Sequence, residues 1–128
     1  MLEITLKFAN ILLPIVTILA SFWIAKKIFI QSATVQVEFS MTQKIENYLD
    51  SNADKNLDEN GIMLAKFKIL TALDLYYKYY MQGYLNKKVV DENNAMYQGI
   101  IDENMDIITQ NKEIFNNIHK YAVQHSNI

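Results

Sequence analysis

The chain has 128 residues, of which 51% are hydrophobic and 20% charged, and its formal net charge is −2. All 12 basic residues are lysines, and beyond residue 30 there are 13 acidic residues against 9 lysines, a balance of −4. An acidic chain without arginine is a poor match for nucleic acid, because phosphate recognition needs clustered cations. The absence of cysteine excludes a disulfide framework and agrees with a reducing compartment.

The N-terminal segment is apolar over a length that can cross a bilayer. From Ile4 to Ala25 most side chains are apolar, and Lys26 and Lys27 follow directly. A helix of this length extends roughly 33 Å at about 1.5 Å per residue, which matches a hydrocarbon core of about 30 Å. A signal peptide is the competing interpretation, but it needs a shorter apolar stretch and small residues before its cleavage site. We therefore predict an uncleaved transmembrane anchor at residues 1–27.

The charges beside the span predict its orientation. Two lysines follow the span, whereas one glutamate and one lysine precede it, and the more positive flank stays in the cytoplasm. Trp23, Lys26 and Lys27 are the predicted interfacial anchors. The chain is rich in Asn, Ile, Lys and Tyr, as proteins of AT-rich bacterial or phage genomes are, so we expect the bacterial inner membrane. The N-terminus is then outside, and residues 28–128 form a cytoplasmic domain.

Most polar and helix-breaking residues of the span share one stripe. On a helix their spacings of three and four residues fall within an arc of roughly 60–80°. Small residues let two helices approach closely, and an asparagine in hydrocarbon seeks a partner on a neighbouring helix. The stripe therefore predicts self-association or association with another membrane protein, and a lone anchor that tolerates a few polar residues is the alternative. Its members are Asn10, Pro14, Thr17, Ser21 and Ala25.

Helical periodicity dominates the rest of the chain. Apolar residues repeat at a spacing of four between Val37 and Leu49, although alternation over 35–41 leaves a strand open there. Residues 91–125 fit one long helix, or two with a break near Thr109 to Asn111. We predict an all-α fold, with one N-terminal transmembrane helix followed by a small three- to four-helix cytoplasmic domain. Its helices are expected at about residues 31–49, 62–82, 91–109 and 112–124, with the second and the later ones forming an antiparallel hairpin packed with the first.

Turn and capping residues separate these helices. The segment from Asp50 to Gly61 is the main predicted loop, and Asp58 or Asn60 is expected to cap the helix that follows. Gly83 is the predicted C-terminal cap of that helix, because glycine tolerates the left-handed backbone that ends many helices. Asp91 is the predicted N-cap of the next one.

Five tyrosines lie in or just after the predicted helix at residues 62–82. They cannot all share one helical face, so we expect some to join the core and others to meet a protein partner. A base-stacking platform is the alternative, and it has few neighbouring cations to support it. The predicted partner surface comprises Tyr76, Tyr77, Tyr79, Tyr80 and Tyr84.

No arrangement of residues indicates enzyme chemistry. His119 and His125 are the only histidines, and neither is spaced with Asp or Glu as a metal site requires. There is no cysteine nucleophile, no nucleophile-elbow serine and no phosphate-cradling glycine loop. Asp102, Glu103 and Asp106 place two carboxylates on one helix face, an arrangement typical of a solvated surface. We expect no enzyme activity, catalytic residue, cofactor, metal or small-molecule substrate.

The layout of the chain resembles that of uncharacterised single-pass membrane proteins of bacteria and their phages, which have a small helical cytoplasmic domain. The likeness lies in an anchor, an aromatic helix with a glycine turn and a final helical segment, at Leu73, Tyr76, Gly83, Leu85 and Asp91. It implies an architecture and no activity. With the stripe, it predicts a membrane-anchored interaction module that self-associates or binds another membrane protein. The alternative is a small membrane effector, a phage-defence or toxin subunit, that oligomerises to perturb the inner membrane.

Overall fold

The computed structural model of the chain describes the backbone of residues 2–126 and the side chains of residues 2–122. All regular structure in this part of the chain is helical, as the predicted all-α class requires. Residues 35–41 lie within a helix, so the strand alternative is wrong. The helices are α1 (Leu2–Ala53), α2 (Glu59–Met81), α3 (Lys87–Glu103), α4 (Met105–Gln110) and α5 (Asn116–Ser126).

Helix α1 continues from the apolar N-terminal segment into the domain without a break. It has 52 residues, which makes it roughly 78 Å long at about 1.5 Å per residue. Every side chain from residue 2 to residue 29 is exposed, whereas Thr34, Met41, Ile45 and Tyr48 are buried. Among residues 2–126, α1 is the one helix long and apolar enough to cross a membrane. Its first half therefore lies outside the bundle, and its second half forms one wall of it.

Helix α2 runs antiparallel to the second half of α1. The ring of Tyr84, just after α2, meets Phe29 of α1 at a centroid distance of 6.5 Å. Farther along the pair, the Tyr76 hydroxyl donates to Glu38 Oε1 at 2.6 Å. Higher residue numbers of α2 thus face lower residue numbers of α1, so the end of α2 lies nearest the apolar half of α1.

Helix α3 turns back and runs parallel to α1. The Asn86 N–H donates to Thr34 Oγ1 at 2.8 Å, and at the other end Asn104 Nδ2 donates to the Tyr48 hydroxyl at 3.2 Å. The Asn104 side chain also donates to the Ile100 carbonyl at 2.8 Å. Because this amide bonds the backbone of the preceding turn, the helix is interrupted there and α4 starts at Met105.

Helix α5 completes an up-down-up-down four-helix arrangement by running parallel to α2. The rings of Phe67 and Phe115 lie 5.6 Å apart at its beginning. Asp74 then caps α5 from the side of α2: Oδ1 accepts from the Ile118 N–H at 2.9 Å, and Oδ2 accepts from Asn117 Nδ2 at 3.0 Å. Such bundles enclose one apolar core between their helices.

Two predicted helix boundaries need correction. Asp91 is not an N-cap, because α3 begins at Lys87 and Asn86 Oδ1 accepts from the Lys88 N–H at 3.0 Å. Asparagine and aspartate are both good N-caps, so the sequence allowed either position. The prediction that 91–125 forms one helix or two is wrong. An interruption at Asn104 and a turn at 111–115 divide the described part of this segment into three helices, α3, α4 and α5.

Three other boundary predictions are confirmed. Asp58 caps α2 through its Oδ1, which accepts from the Gly61 N–H at 2.8 Å. Gly83 ends α2 with φ = 81°, a conformation that favours glycine, and the Tyr84 N–H reaches back to the Tyr79 carbonyl at 3.0 Å. The predicted break before Asn111 is present, because α4 ends at Gln110.

Candidate functional site

The stripe residues lie on the exposed half of α1. The Thr17 hydroxyl donates to the Leu13 carbonyl at 2.8 Å, and the Ser21 hydroxyl donates to the Thr17 carbonyl at 2.8 Å. Both hydroxyls therefore have a hydrogen-bond partner within their own helix. Thr17 and Ser21 are small side chains, which lets another helix approach this face closely. All five side chains are exposed: Asn10, Pro14, Thr17, Ser21 and Ala25.

Pro14 changes the hydrogen bonding of this face. Proline has no N–H, so the Asn10 carbonyl cannot receive the usual helical hydrogen bond from residue 14. The Asn10 side-chain amide lies on the same stripe. A polar group without a partner is costly in hydrocarbon. If this part of α1 crosses a membrane, the carbonyl and the side-chain amide of Asn10 would favour association with a second helix.

The three predicted interfacial anchors follow the stripe. Lys27 Nζ lies 5.0 Å from the centroid of the Trp23 ring, a cation–π contact that pairs two of them. Lys26 is exposed beside them. Trp23 and Lys27 thus form one polar and aromatic pair at the end of the apolar half of α1.

The five tyrosines of the predicted partner surface do not form one surface. Tyr76 and Tyr77 are 1% and 0% exposed, so their inclusion in a partner surface is wrong for this fold: their positions face the core. Tyr79 and Tyr80 are partly buried against the core. Tyr84 is the exposed member, with 48% of its surface accessible.

A partly buried carboxylate between α1, α2 and α3 was not predicted from the sequence. Glu38 Oε1 accepts from the Tyr76 hydroxyl at 2.6 Å, and Oε2 accepts from the Tyr97 hydroxyl at 2.7 Å and from Asn93 Nδ2 at 2.9 Å. Three helices therefore meet at one side chain. The signal in the sequence is that Glu38 shares a helical face with Thr34, Met41 and Ile45, where an apolar residue is expected.

Aromatic rings pack beside this carboxylate. Tyr76 contacts Tyr97 edge-on at 4.9 Å between ring centroids, and Tyr77 stacks on Tyr121 at 3.9 Å. Burial, with the neighbouring Glu38 carboxylate, raises the pKa of Tyr76 and of Tyr97 well above the usual range. Burial likewise raises the pKa of Tyr77, and it raises the pKa of Tyr121 to about 12. The four hydroxyls therefore stay protonated at neutral pH and act as donors and packing groups.

A groove of about 740 Å³ lies between α1 and α2 on the side away from the Glu38 cluster. Leu64 and Leu75 are partly exposed in it, at 57% and 43%. Lys44 and Lys68 line it, and no acidic residue does so among the described residues. The groove is thus apolar and slightly basic in an otherwise acidic domain.

The carboxylates that the sequence singled out are held in structural contacts. Asp102 Oδ1 accepts from Gln98 Nε2 at 3.0 Å, and Glu103 Oε2 accepts from the Tyr48 hydroxyl at 3.4 Å. Asp106 lies in α4, beyond the interruption at Asn104. Within the described ranges, no group of three or more His, Asp or Glu side chains is placed to hold a metal ion.

Comparison of the chain with models of known protein families, with curated proteins and with solved structures found no match. The resemblance to single-pass bacterial and phage proteins stays a prediction. The function is therefore argued from the geometry of this chain alone.

Proposed function

We propose that the protein is a single-pass, membrane-anchored helical interaction module that self-associates through the stripe in its span. The observation that carries this proposal is the continuity of α1. Its first half exposes apolar side chains on all sides, and no residue of its most apolar 18-residue stretch is buried. The same helix then becomes a wall of the bundle. Apolar surface on this scale favours lipid over water.

The charges beside the span support a cytoplasmic domain on the inner membrane of a bacterium. The lysine pair follows the apolar half, and Lys27 and Trp23 form one interfacial group. Because α1 has no break after this group, a rotation or displacement of the span would be passed directly to the bundle. An anchored module of this kind is suited to transmitting the association of spans in the membrane to the cytoplasmic domain.

The stripe is tested by crosslinking in membranes. We expect the full chain to give dimers or higher oligomers, and Asn10→Leu with Ser21→Leu to lower their yield several-fold. The substitutions remove the asparagine amide and enlarge the small-residue ladder at Ser21. The matched control is Leu12→Ile with Leu19→Ile on other faces of the same helix, which should leave the yield unchanged. Equal yields for all three chains would contradict the association proposal.

A second function is favoured by the one-sidedness of the stripe. If several copies associate with Asn10 and Thr17 inward, these side chains line the axis of an oligomer, as in a small membrane effector. Induced expression should then depolarise bacterial cells, and Asn10→Leu or Thr17→Leu should restore the potential. A normal membrane potential with intact protein in the membrane would rule out the effector and leave the interaction module.

A further inference from the structure

The loop between α2 and α3 is held beside the first turns of α1 after the span. The Asn86 N–H donates to the hydroxyl of Thr34, which is 3% exposed. Tyr84 meets Phe29 edge-on, with the rings at 88° to each other. A hydrogen bond and a ring contact thus set the position of this loop relative to α1.

The Phe29–Tyr84 contact places Tyr84 at a definite depth if residues 4–25 cross the membrane, whereas Asn86, beside Thr34, lies roughly 13 Å beyond Ala25. Phe29 is four residues beyond Ala25, or roughly 6 Å along the helix. The headgroup layer on each side of a bilayer is about 5–7 Å thick. Phe29 and its neighbour Tyr84 therefore lie at headgroup depth, where amphipathic aromatic rings are enriched. Tyr84 is 48% exposed.

Two lysines begin α3 at this end of the bundle. Lys87 and Lys88 are exposed, and the first turn of α3 contains no acidic residue. A helix N-terminus carries partial positive charge, so lysines there are unfavourable within the protein alone. Because α3 runs away from the span and Cβ atoms tilt toward a helix N-terminus, both lysines lean toward the membrane. Asp91 and Glu92 follow one turn later, about 5 Å farther from it.

We propose that this end of the bundle is a second membrane contact that binds anionic lipid headgroups. Its residues are Phe29, Tyr84, Lys87 and Lys88, beside Lys26 and Lys27 of the span. Lys87, Lys88 and the two aromatic rings thus lie at the end of the bundle that is nearest to Lys26 and Lys27 along α1. The bundle then stands on the bilayer in one orientation. The inference rests on the proposed function, since it requires α1 to be inserted.

Single-site spin labelling of the full chain tests the contact. The chain has no cysteine, so each introduced cysteine is labelled alone. Labels at Gln82→Cys, at Leu64→Cys on the far end of α2 and at Leu13→Cys in the span are compared. The protein is reconstituted in vesicles of phosphatidylcholine with phosphatidylglycerol, and in vesicles of phosphatidylcholine alone. The readout is collision with an aqueous nickel complex.

In the anionic vesicles we expect the label at Gln82 to collide with the nickel complex several-fold less often than the label at Leu64. Lys87→Gln with Lys88→Gln should remove this shielding, while the melting temperature of the domain changes little because both side chains are exposed. If the label at Leu13 is shielded but the labels at Gln82 and Leu64 are equally accessible, the second membrane contact is overturned and the membrane anchor is not. A water-accessible label at Leu13 overturns both it and the membrane anchor. Equal shielding of Gln82 in vesicles without phosphatidylglycerol overturns the role of anionic lipid.

Discussion

Replacing Glu38 with alanine is expected to lower the free energy of unfolding of the helical domain by about 3–4 kcal/mol. The carboxylate accepts hydrogen bonds from Tyr76, Tyr97 and Asn93, and the two tyrosines are each 1% exposed. Alanine would leave their donors without an acceptor in the bundle interior. A buried donor that loses its partner costs about 1–3 kcal/mol, more when the acceptor was charged.

Thermal unfolding followed by the near-ultraviolet circular dichroism of the tyrosines measures this effect in detergent. Glu46→Ala is the matched control, because Glu46 is an exposed side chain on the same helix, and it should change stability by less than about 0.5 kcal/mol. Glu38→Gln should give an intermediate loss, since its amide keeps one acceptor oxygen. If Glu38→Ala has the same melting temperature as Glu46→Ala, Glu38 does not stabilise the bundle.

Raising the pH above 10 is expected to unfold the domain steeply. Tyrosine loses its proton near pH 10 when exposed, and burial holds the pKa of four tyrosines above that value: Tyr76, Tyr77, Tyr97 and Tyr121. Below pH 10 the folded and unfolded chains are both protonated, so stability is fully present. Above it the unfolded chain ionises first, and each tyrosine removes about 1.4 kcal/mol per pH unit until its folded pKa is reached. For Tyr121 that limit is about 12.

The four groups together should remove roughly 5 kcal/mol by pH 11, a large part of the stability of a small domain. Tyrosinate absorbance measures the ionisation of the tyrosines, and circular dichroism recorded in the same titration measures unfolding. Tyr77→Phe is the informative variant, because the Tyr77 hydroxyl is buried without a partner among the described residues. We expect it to be at least as stable at neutral pH and to unfold at higher pH. Ionisation of all eight tyrosines near pH 10, with the circular dichroism unchanged, would contradict the account.

Local signals were enough to predict the helices and several of their ends. The apolar run to Ala25, the periodicity of the later segments, the Asp58 cap and Gly83 each act within a few residues of sequence. The N-cap at Asn86 was missed because Asp91, five residues later, is an equally good capping residue. The interruption at Asn104 was missed because an asparagine is ordinarily exposed, whereas this one is 1% exposed and bonds both the Ile100 carbonyl and the Tyr48 hydroxyl.

The Glu38 cluster could not be derived from the sequence for the same reason. Its partners Tyr76, Asn93 and Tyr97 are 38, 55 and 59 residues distant. A single glutamate in a helix is ordinarily solvated, and only the packing of α2 and α3 reveals that this one is partly buried and hydrogen-bonded to three side chains. The prediction of a tyrosine partner surface was wrong for Tyr76 and Tyr77, although their helical spacing from Ile69 and Leu73 places both on the buried face of α2. The stripe and the anchors remain predictions, since they concern a membrane.

Alkaline carbonate extraction of membranes from cells that express the full chain tests the membrane anchor most directly. The matched variant carries Leu12→Lys and Leu19→Lys, two exposed positions in the apolar half of α1 that lie outside the bundle. Charged side chains at mid-bilayer depth oppose insertion. The account predicts that the native chain stays in the membrane pellet and the lysine variant is released. Release of the native chain, or retention of both, would contradict the proposal that α1 spans the membrane.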